Sequence, residues 1–189
     1  MTRSITPELE SLGCRVELAD VAQEASVVAL ARRLGTVALD VVIHNAGIYL
    51  DEELGHIDFD AMREQFEVNT LGPLRLTEVL LPRMREGGKI GIVSSRMGSM
   101  TDNDSGGYYG YRASKAAVNA IGVSLARDLA PRGIAVALLH PGFVRTRLTG
   151  GEGLMDADES AAGLIERLDE LTLETSGGFW HKTGEVLDW

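Results

Sequence analysis

Two periodicities alternate along this chain. Arg15-Val16-Glu17-Leu18-Ala19 alternates polar and apolar side chains, the two-residue period of a strand. Leu39-Asp40-Val41-Val42-Ile43 is a β-branched run with little alternation, which marks a strand covered on both faces. Lys89-Ile90-Gly91-Ile92-Val93 and Ile134 to Leu139 read as further strands. Between them the apolar positions return at helical spacing. Pro7 to Gly13 reads as a short helix, with Thr6 as its cap and Pro7 at its first position. A second helix spans Ala22 to Leu34. Met62, Phe66, Leu76, Leu80 and Met84 trace a third from Phe59 to Arg85, ended by Gly87-Gly88. Tyr109 to Ala130 and Ser160 to Leu171 follow as helices, and Gly177-Gly178-Phe179-Trp180 with Gly184 to Leu187 reads as a last strand and hairpin.

Two helices carry features that their pattern alone does not explain. Asn69 sits inside the third, and Pro73, four residues on, clashes with the carbonyl of residue 69 and kinks the helix there. A kink beside a buried amide frees a backbone carbonyl to hold a water. The helix from Tyr109 presents Ala113, Ala116, Ala117, Ala120 and Gly122, small enough to let other backbones come close, whether from the sheet or from a partner subunit such as a second copy.

The candidate chemistry gathers between Ser94 and Lys115. Ser95 offers a hydroxyl at a strand end, and Tyr111 and Lys115 stand four apart, on one face of a helix. A cation against a phenol favours the phenolate and makes the side chain a usable proton donor and acceptor. Tyr108 and Tyr109 face Arg112 and Ala113 instead. Alone, such a pair reads first as a solvated surface pair, since i,i+4 pairs of this kind are common. Small residues at the end of another strand, Asn45-Ala46-Gly47, let a ligand approach the backbone. Asp20 is either a helix cap or a ligand contact. His44 reads as a turn histidine without chemistry. Thr149 to Asp156 is glycine-rich and polar, a lid over a substrate, and Gly150-Gly151-Glu152-Gly153 has the wrong spacing for a phosphate loop.

Composition narrows the classes. The chain has 189 residues, 44% hydrophobic and 24% charged, enough for one domain over 1–189 with a substantial core. A net charge of −10 and the lack of a basic run exclude nucleic acid as a partner. No run is apolar enough for a membrane span and no signal region follows Met1, which points to the cytoplasm. Cys14, the single cysteine, permits no internal disulfide and is expected as a buried strand thiol. No Cys/His cluster has metal-ligand spacing.

Asn45-Ala46-Gly47, Asn69, the Ser-Ser-x-x-Gly of Ser94 to Gly98, Tyr111-x-x-x-Lys115 and Pro141-Gly142 stand in the order found in the short-chain dehydrogenase/reductase family. The chain resembles its C-factor-like and sniffer-like carbonyl reductases, with His44 replacing one Asn and an extra loop at Asp102 to Gly107. The resemblance implies an α/β fold, a Rossmann-like doubly wound parallel sheet. It implies hydride transfer between NADP or NAD and a small-molecule carbonyl or alcohol. Tyr111 would be the acid/base, Ser95 the hydrogen-bond donor to the substrate oxygen, Lys115 the ribose contact, and Asn69 the holder of a relay water. Asn45, Ala46 and Gly47 would line the cofactor. Asp20 and Val21 would meet the adenine, and Pro141, Gly142, Val144 and Thr146 the nicotinamide carboxamide. Thr2-Arg3-Ser4 would fall at the end of the family's second strand, where Arg3 meets the 2′-phosphate of NADP. The family's opening strand and Thr-Gly-x-x-x-Gly-x-Gly turn have no counterpart here, so the sheet is expected to be truncated at its N-terminal side. The activity of this form, or its survival as a non-redox interaction module, turns on that difference. With the family's strands one and two missing, Val16–Leu18 is expected to slide into direct pairing with Val41–Ile43, which spares an apolar edge.

Overall fold

The computed structural model describes all 189 residues, the side chain of Glu8 excepted. Four parallel strands form one sheet in the order β1 (Leu39–His44), β2 (Met84–Val93), β3 (Ala135–His140) and β4 (Phe179–His181). The aliphatic runs of β2 and β3 become strands covered by helices on both faces. On one face, Ile90, Ile92 and Val136 pack against Val118, Ala126 and Leu129 of α5 (Tyr109–Leu129). The same face continues beyond β1 into a cluster joining α2 (Glu24–Leu34) to α4 (Gly72–Leu80) through Val27, Leu30, Leu76 and Leu80. On the other face, Ala135, Ala137 and Leu139 meet Leu168 of α6 (Ala157–Glu170).

Of the small residues expected to let a backbone come close to α5, Gly122 does so against the sheet. A Cβ at Gly122 would lie 2.7 Å from Leu138 Cδ2, so α5 can approach β3 this closely only with glycine there. Thr6 caps the first helix, α1 (Pro7–Ser11), by accepting from Leu9 N at 3.3 Å.

The long helix expected over Phe59 to Arg85 is broken in two places. α3 (Phe59–Phe66) runs into a π-helical turn, Glu67–Leu71, before α4. Pro73 has no N–H for the Asn69 carbonyl, and the ladder widens, with Gly72 N–H donating to Glu67 O. Helical structure ends at a tight turn, Leu81–Arg83, where Pro82 stops propagation. β2 therefore starts at Met84, and the Gly87-Gly88 pair lies in an irregular stretch between the pairings Leu39↔Met84 and Val41↔Lys89.

The first strand reading fails. Of Arg15–Ala19, only Leu18 bridges, in parallel, to Thr2, through Thr2 N–H to Glu17 O at 3.1 Å and Ala19 N–H to Thr2 O at 2.9 Å. Val16–Leu18 does not pair with Val41–Ile43. Thr2 takes the segment's hydrogen bonds, Arg33 of α2 takes the Leu18 carbonyl, and packing of α2 on α4 fixes both. The edge of β1 stays open, and Val41 and Ile43 are 46% and 49% exposed. Their register partners are Lys89 and Gly91, so they share the face of α6, which packs at Gly91 and leaves them to solvent. Cys14 is exposed outside any strand, not a buried strand thiol. No helix among the described residues is long and apolar enough to cross a membrane.

Candidate active site

The carboxyl ends of β1, β2 and β3 bring the candidate residues together. Ser94 is buried and its hydroxyl donates to Asn119 Oδ1 at 2.6 Å. Ser95 caps the short 3-10 turn Arg96–Gly98, its Oγ accepting from Met97 N at 3.1 Å. That turn lies flat against α5. A Cβ at Gly98 would stand 2.8 Å from the Lys115 carbonyl carbon and 2.9 Å from its Cβ. The Gly of Ser-Ser-x-x-Gly is therefore what lets Ser95 reach the helix that carries Tyr111 and Lys115.

Tyr111 and Lys115 share the inward face of α5, 7% and 4% exposed. The Lys115 ammonium donates to Val93 O at 2.9 Å and stands 5.6 Å from the centre of the Tyr111 ring. An ammonium has three N–H donors, and among the described residues no other acceptor takes the remaining two. Burial pushes its pKa down to about 8. Burial also pushes the Tyr111 phenol above its ordinary range, and the Ser95 hydroxyl turned towards it works in the opposite direction. The expected lowering of the phenol by Lys115 is absent. The lysine lies over the ring rather than against the oxygen, and desolvation of the phenolate dominates.

Asn69 is buried at the π-turn, and its side chain is fully used. Its Oδ1 accepts from Ile48 N at 2.8 Å, while Nδ2 donates to Ile48 O at 2.9 Å and to Ser114 Oγ at 3.0 Å. Ser114 in turn donates to Tyr111 O, and Thr70 donates to Ser114 O, both at 2.8 Å. The amide thus ties the loop after β1 to α5. Gly47 lies in that loop, and a Cβ there would stand 3.4 Å from Asn69 Oδ1 and 3.8 Å from Lys115 Nζ. Asn45 and Ala46, just before it, are exposed at the end of β1.

The remaining candidates are spread over two flanks. Pro141 and Gly142 follow β3, with φ +86° at Gly142, and Pro141 O accepts from Ser160 Oγ at 2.8 Å. Val144 is buried and bridges to Met155, while Thr146 N donates to Thr149 Oγ1 at 3.1 Å. The stretch expected as a lid is thus folded back on this turn, with Leu154 N–H on Phe143 O at 2.7 Å. On the other flank Asp20 accepts from Ala22 N at 2.9 Å, closing a turn ahead of α2, whose cap position is Gln23. Val21 is buried against Gly72, and Arg3 is exposed next to the bridged Thr2.

Three further polar residues flank the site, His44 buried and His140 and Tyr49 partly so. His44 is buried with Nε2 2.9 Å from Thr77 Oγ1, and burial lowers its pKa to about 4, so it is a neutral structural residue. His140, immediately before Pro141, has a buried Nδ1 with no partner, lies 5.3 Å ring to ring from His181, and has its pKa lowered to about 3, by burial first. Tyr49 meets Tyr111 edge-on at 5.2 Å and lies 5.8 Å from Tyr108, its own pKa pushed up to about 12 by burial first.

The two histidines make an acid-stability prediction. Both are neutral in folded and unfolded chains above pH 6.5, so their contribution is complete there. Below it the unfolded chain takes up protons that the native protein refuses, and stability falls by about 3 kcal/mol per pH unit between roughly pH 6 and pH 4.5. Urea titrations across that range should show about half this slope in His44→Gln, and an unchanged slope would refute the assignment.

A buried tyrosine, a buried serine and a buried lysine with one of its three donors bonded thus gather at the carboxyl end of a parallel sheet. The family model for short chain dehydrogenase matches residues 5–156. The 1-hydroxy-2-glutathionyl-2-methyl-3-butene dehydrogenase of Rhodococcus sp. (strain AD45) is 48% identical, over 96% of this chain and 84% of that protein. The C-signal of Myxococcus xanthus is 41% identical, over 85% of this chain and 99% of that protein. Among solved structures, the NADPH-bound carbonyl reductase from chicken fatty liver superposes with a TM-score of 0.90 at 28% identity, covering 100% of this chain and 86% of its own. The chain belongs to the short-chain dehydrogenase/reductase family. It is an NAD(P)(H)-dependent oxidoreductase with a Rossmann-like α/β fold.

Proposed function

We propose that this single domain, residues 1–189, interconverts a small carbonyl compound and its alcohol, with Tyr111 moving the proton at the substrate oxygen. The observation that carries this is the convergence of buried Tyr111, Ser95 and Lys115 on one point at the end of β2. Ser95 donates a hydrogen bond to the oxygen as charge builds there. Lys115 has two N–H donors free for a ribose diol, and Gly47 beside it keeps the approach open, so the nicotinamide-ribose end of a dinucleotide fits these residues. The bound nicotinamide supplies or takes the hydride. Asn69 acts by fixing the loop that carries Gly47 and the π-turn at its own carbonyl, which supports a relay through water. Pro141, Gly142, Val144 and Thr146 are the contacts for the carboxamide, and Asn45, Ala46, Asp20 and Val21 those along the rest of the cofactor. Arg3 favours NADP(H) over NAD(H). The exposed Ala113 and Ala120 of α5 leave room for a second copy.

The pyrophosphate end fits less well. Among the described residues no glycine turn joins a strand to a helix N-terminus beside β1, the arrangement that holds a pyrophosphate. Calorimetric titration of the whole chain with NADPH should give a dissociation constant weaker than the order of micromolar. Turnover of a carbonyl panel at roughly millimolar NADPH supports the carbonyl–alcohol reading, and no turnover at any concentration overturns it. Micromolar affinity would show that another segment replaces the glycine turn.

A further inference from the structure

α5 begins without a cap of its own. Its cap residue, Tyr108, is in the left-handed region at φ +52°, a conformation costly for a tyrosine, and has no side chain bonded to the helix N–H groups. Gly106 and Gly107 before it are also left-handed. Yet this is the turn that presents Tyr111. The missing acceptor comes from fifty-eight residues away. Glu52, 4% exposed, takes the Gly110 N–H on Oε2 at 2.8 Å, and its Oε1 takes Gln65 Nε2. Gln65, fully buried on α3, takes Leu50 N–H on its Oε1 at 3.1 Å, which fixes which way its amide points. Gly110 is part of the same device. A Cβ there would run into Glu52 Oε1 and Gln65 Nε2 and stand 2.9 Å from Met62 Cγ.

We infer that Glu52 is a positioning residue for the reaction: its carboxylate caps α5 from the loop after β1 and, braced by Gln65, holds the turn that aims Tyr111. The inference rests on the reading of Tyr111 as the acid/base. Two donors, Gln65 N–H and Gly110 N–H, converge on the two oxygens, so only a group accepting at both ends closes the chain of bonds. In E52Q the new amide must turn its NH2 towards one of the donors. The exchange E52Q/Q65E restores every bond. The carboxylate, now on α3, accepts from Leu50 N–H and from the amide NH2 on the loop, while the oxygen of that amide accepts from Gly110 N–H.

The test is amide exchange together with a spectroscopic titration of Tyr111, each variant read against the same variant carrying Tyr111→Phe. In the unsubstituted chain the Gly110 amide should be protected well beyond that of Tyr109. In E52Q the amides of Gly110 to Arg112 should exchange about tenfold faster while those around Val118 hold, and the Tyr111 phenol should titrate closer to the ordinary range. In E52Q/Q65E both should return. An unprotected Gly110 amide in the unsubstituted chain overturns the inference even if E52Q does not fold. So does an E52Q protein whose Tyr111 titration is unmoved, or a folded double variant that restores nothing. None of these readouts depends on turnover, so they stand apart from the acid/base assignment. That assignment fails separately if Tyr111→Phe remains active.

Discussion

Tyr111→Phe should lower kcat by about a thousandfold and leave NADPH affinity almost unchanged, since positioned acid/base groups contribute roughly 10²–10⁴ in rate. The variant removes one oxygen from a side chain whose ring is buried and braced edge-on by Tyr49, so packing survives. Lys115 reaches Val93 O independently of the phenol, so its position does not depend on the oxygen that is removed. The loss therefore falls on kcat rather than on binding. The measurement is single-turnover oxidation of NADPH with a carbonyl substrate at several pH values. The pH profile matters because burial holds the phenol above its ordinary range, which keeps it protonated as the acid of carbonyl reduction but is the wrong direction for the base of alcohol oxidation. For that direction the lowering would have to come from new charge and hydrogen bonds brought to the oxygen by bound nicotinamide and substrate. A Tyr111→Phe protein that keeps more than a tenth of its turnover would remove Tyr111 from the mechanism.

The central strands and α5 were legible because apolar runs and small-residue patterns encode burial locally, as Ile90, Ile92 and Gly122 show. Tyr111 and Lys115 were legible because helical spacing places i and i+4 together. What was not legible is non-local. Leu18 could pair with Thr2 or with β1 on its own pattern, and the choice was made by Arg33 and by the packing of α2 on α4. Glu52 lies in the run Asp51-Glu52-Glu53, where one buried carboxylate looks like its solvated neighbours. Only the fold brings it to Gly110. Asn69 was legible as misplaced in a helix, but its partner Ser114 is forty-five residues away. The exposed Val41 and Ile43 are the converse case: a run patterned for burial that the described residues cover on one side only.

Lys115→Met should make the cofactor-free protein more stable at neutral pH, although it removes a residue of the site. Below about pH 8 the native protein carries an ammonium in a buried position with one acceptor, Val93 O, while the unfolded chain keeps that charge in water up to about pH 10.5. A pKa lowered by roughly two and a half units corresponds to a cost on the order of 3 kcal/mol at pH 7. The unfolded state binds a proton that the native state does not between pH 8 and 10.5, so stability of the parent protein rises with pH through that window. Methionine fills a similar volume without a charge and forfeits one hydrogen bond of about 1 kcal/mol. The net gain is about 2 kcal/mol, or roughly 4–8 °C in Tm for a chain of this size. Thermal melts at pH 7 and pH 10 check it, with the variant's advantage shrinking at the higher pH. A Tm that falls, or a gain that is the same at both values, would mean that the lysine is better solvated than its position indicates. A gain confined to neutral pH would show that the fold carries Lys115 at a cost in stability, as a group held ready for a ligand rather than for packing.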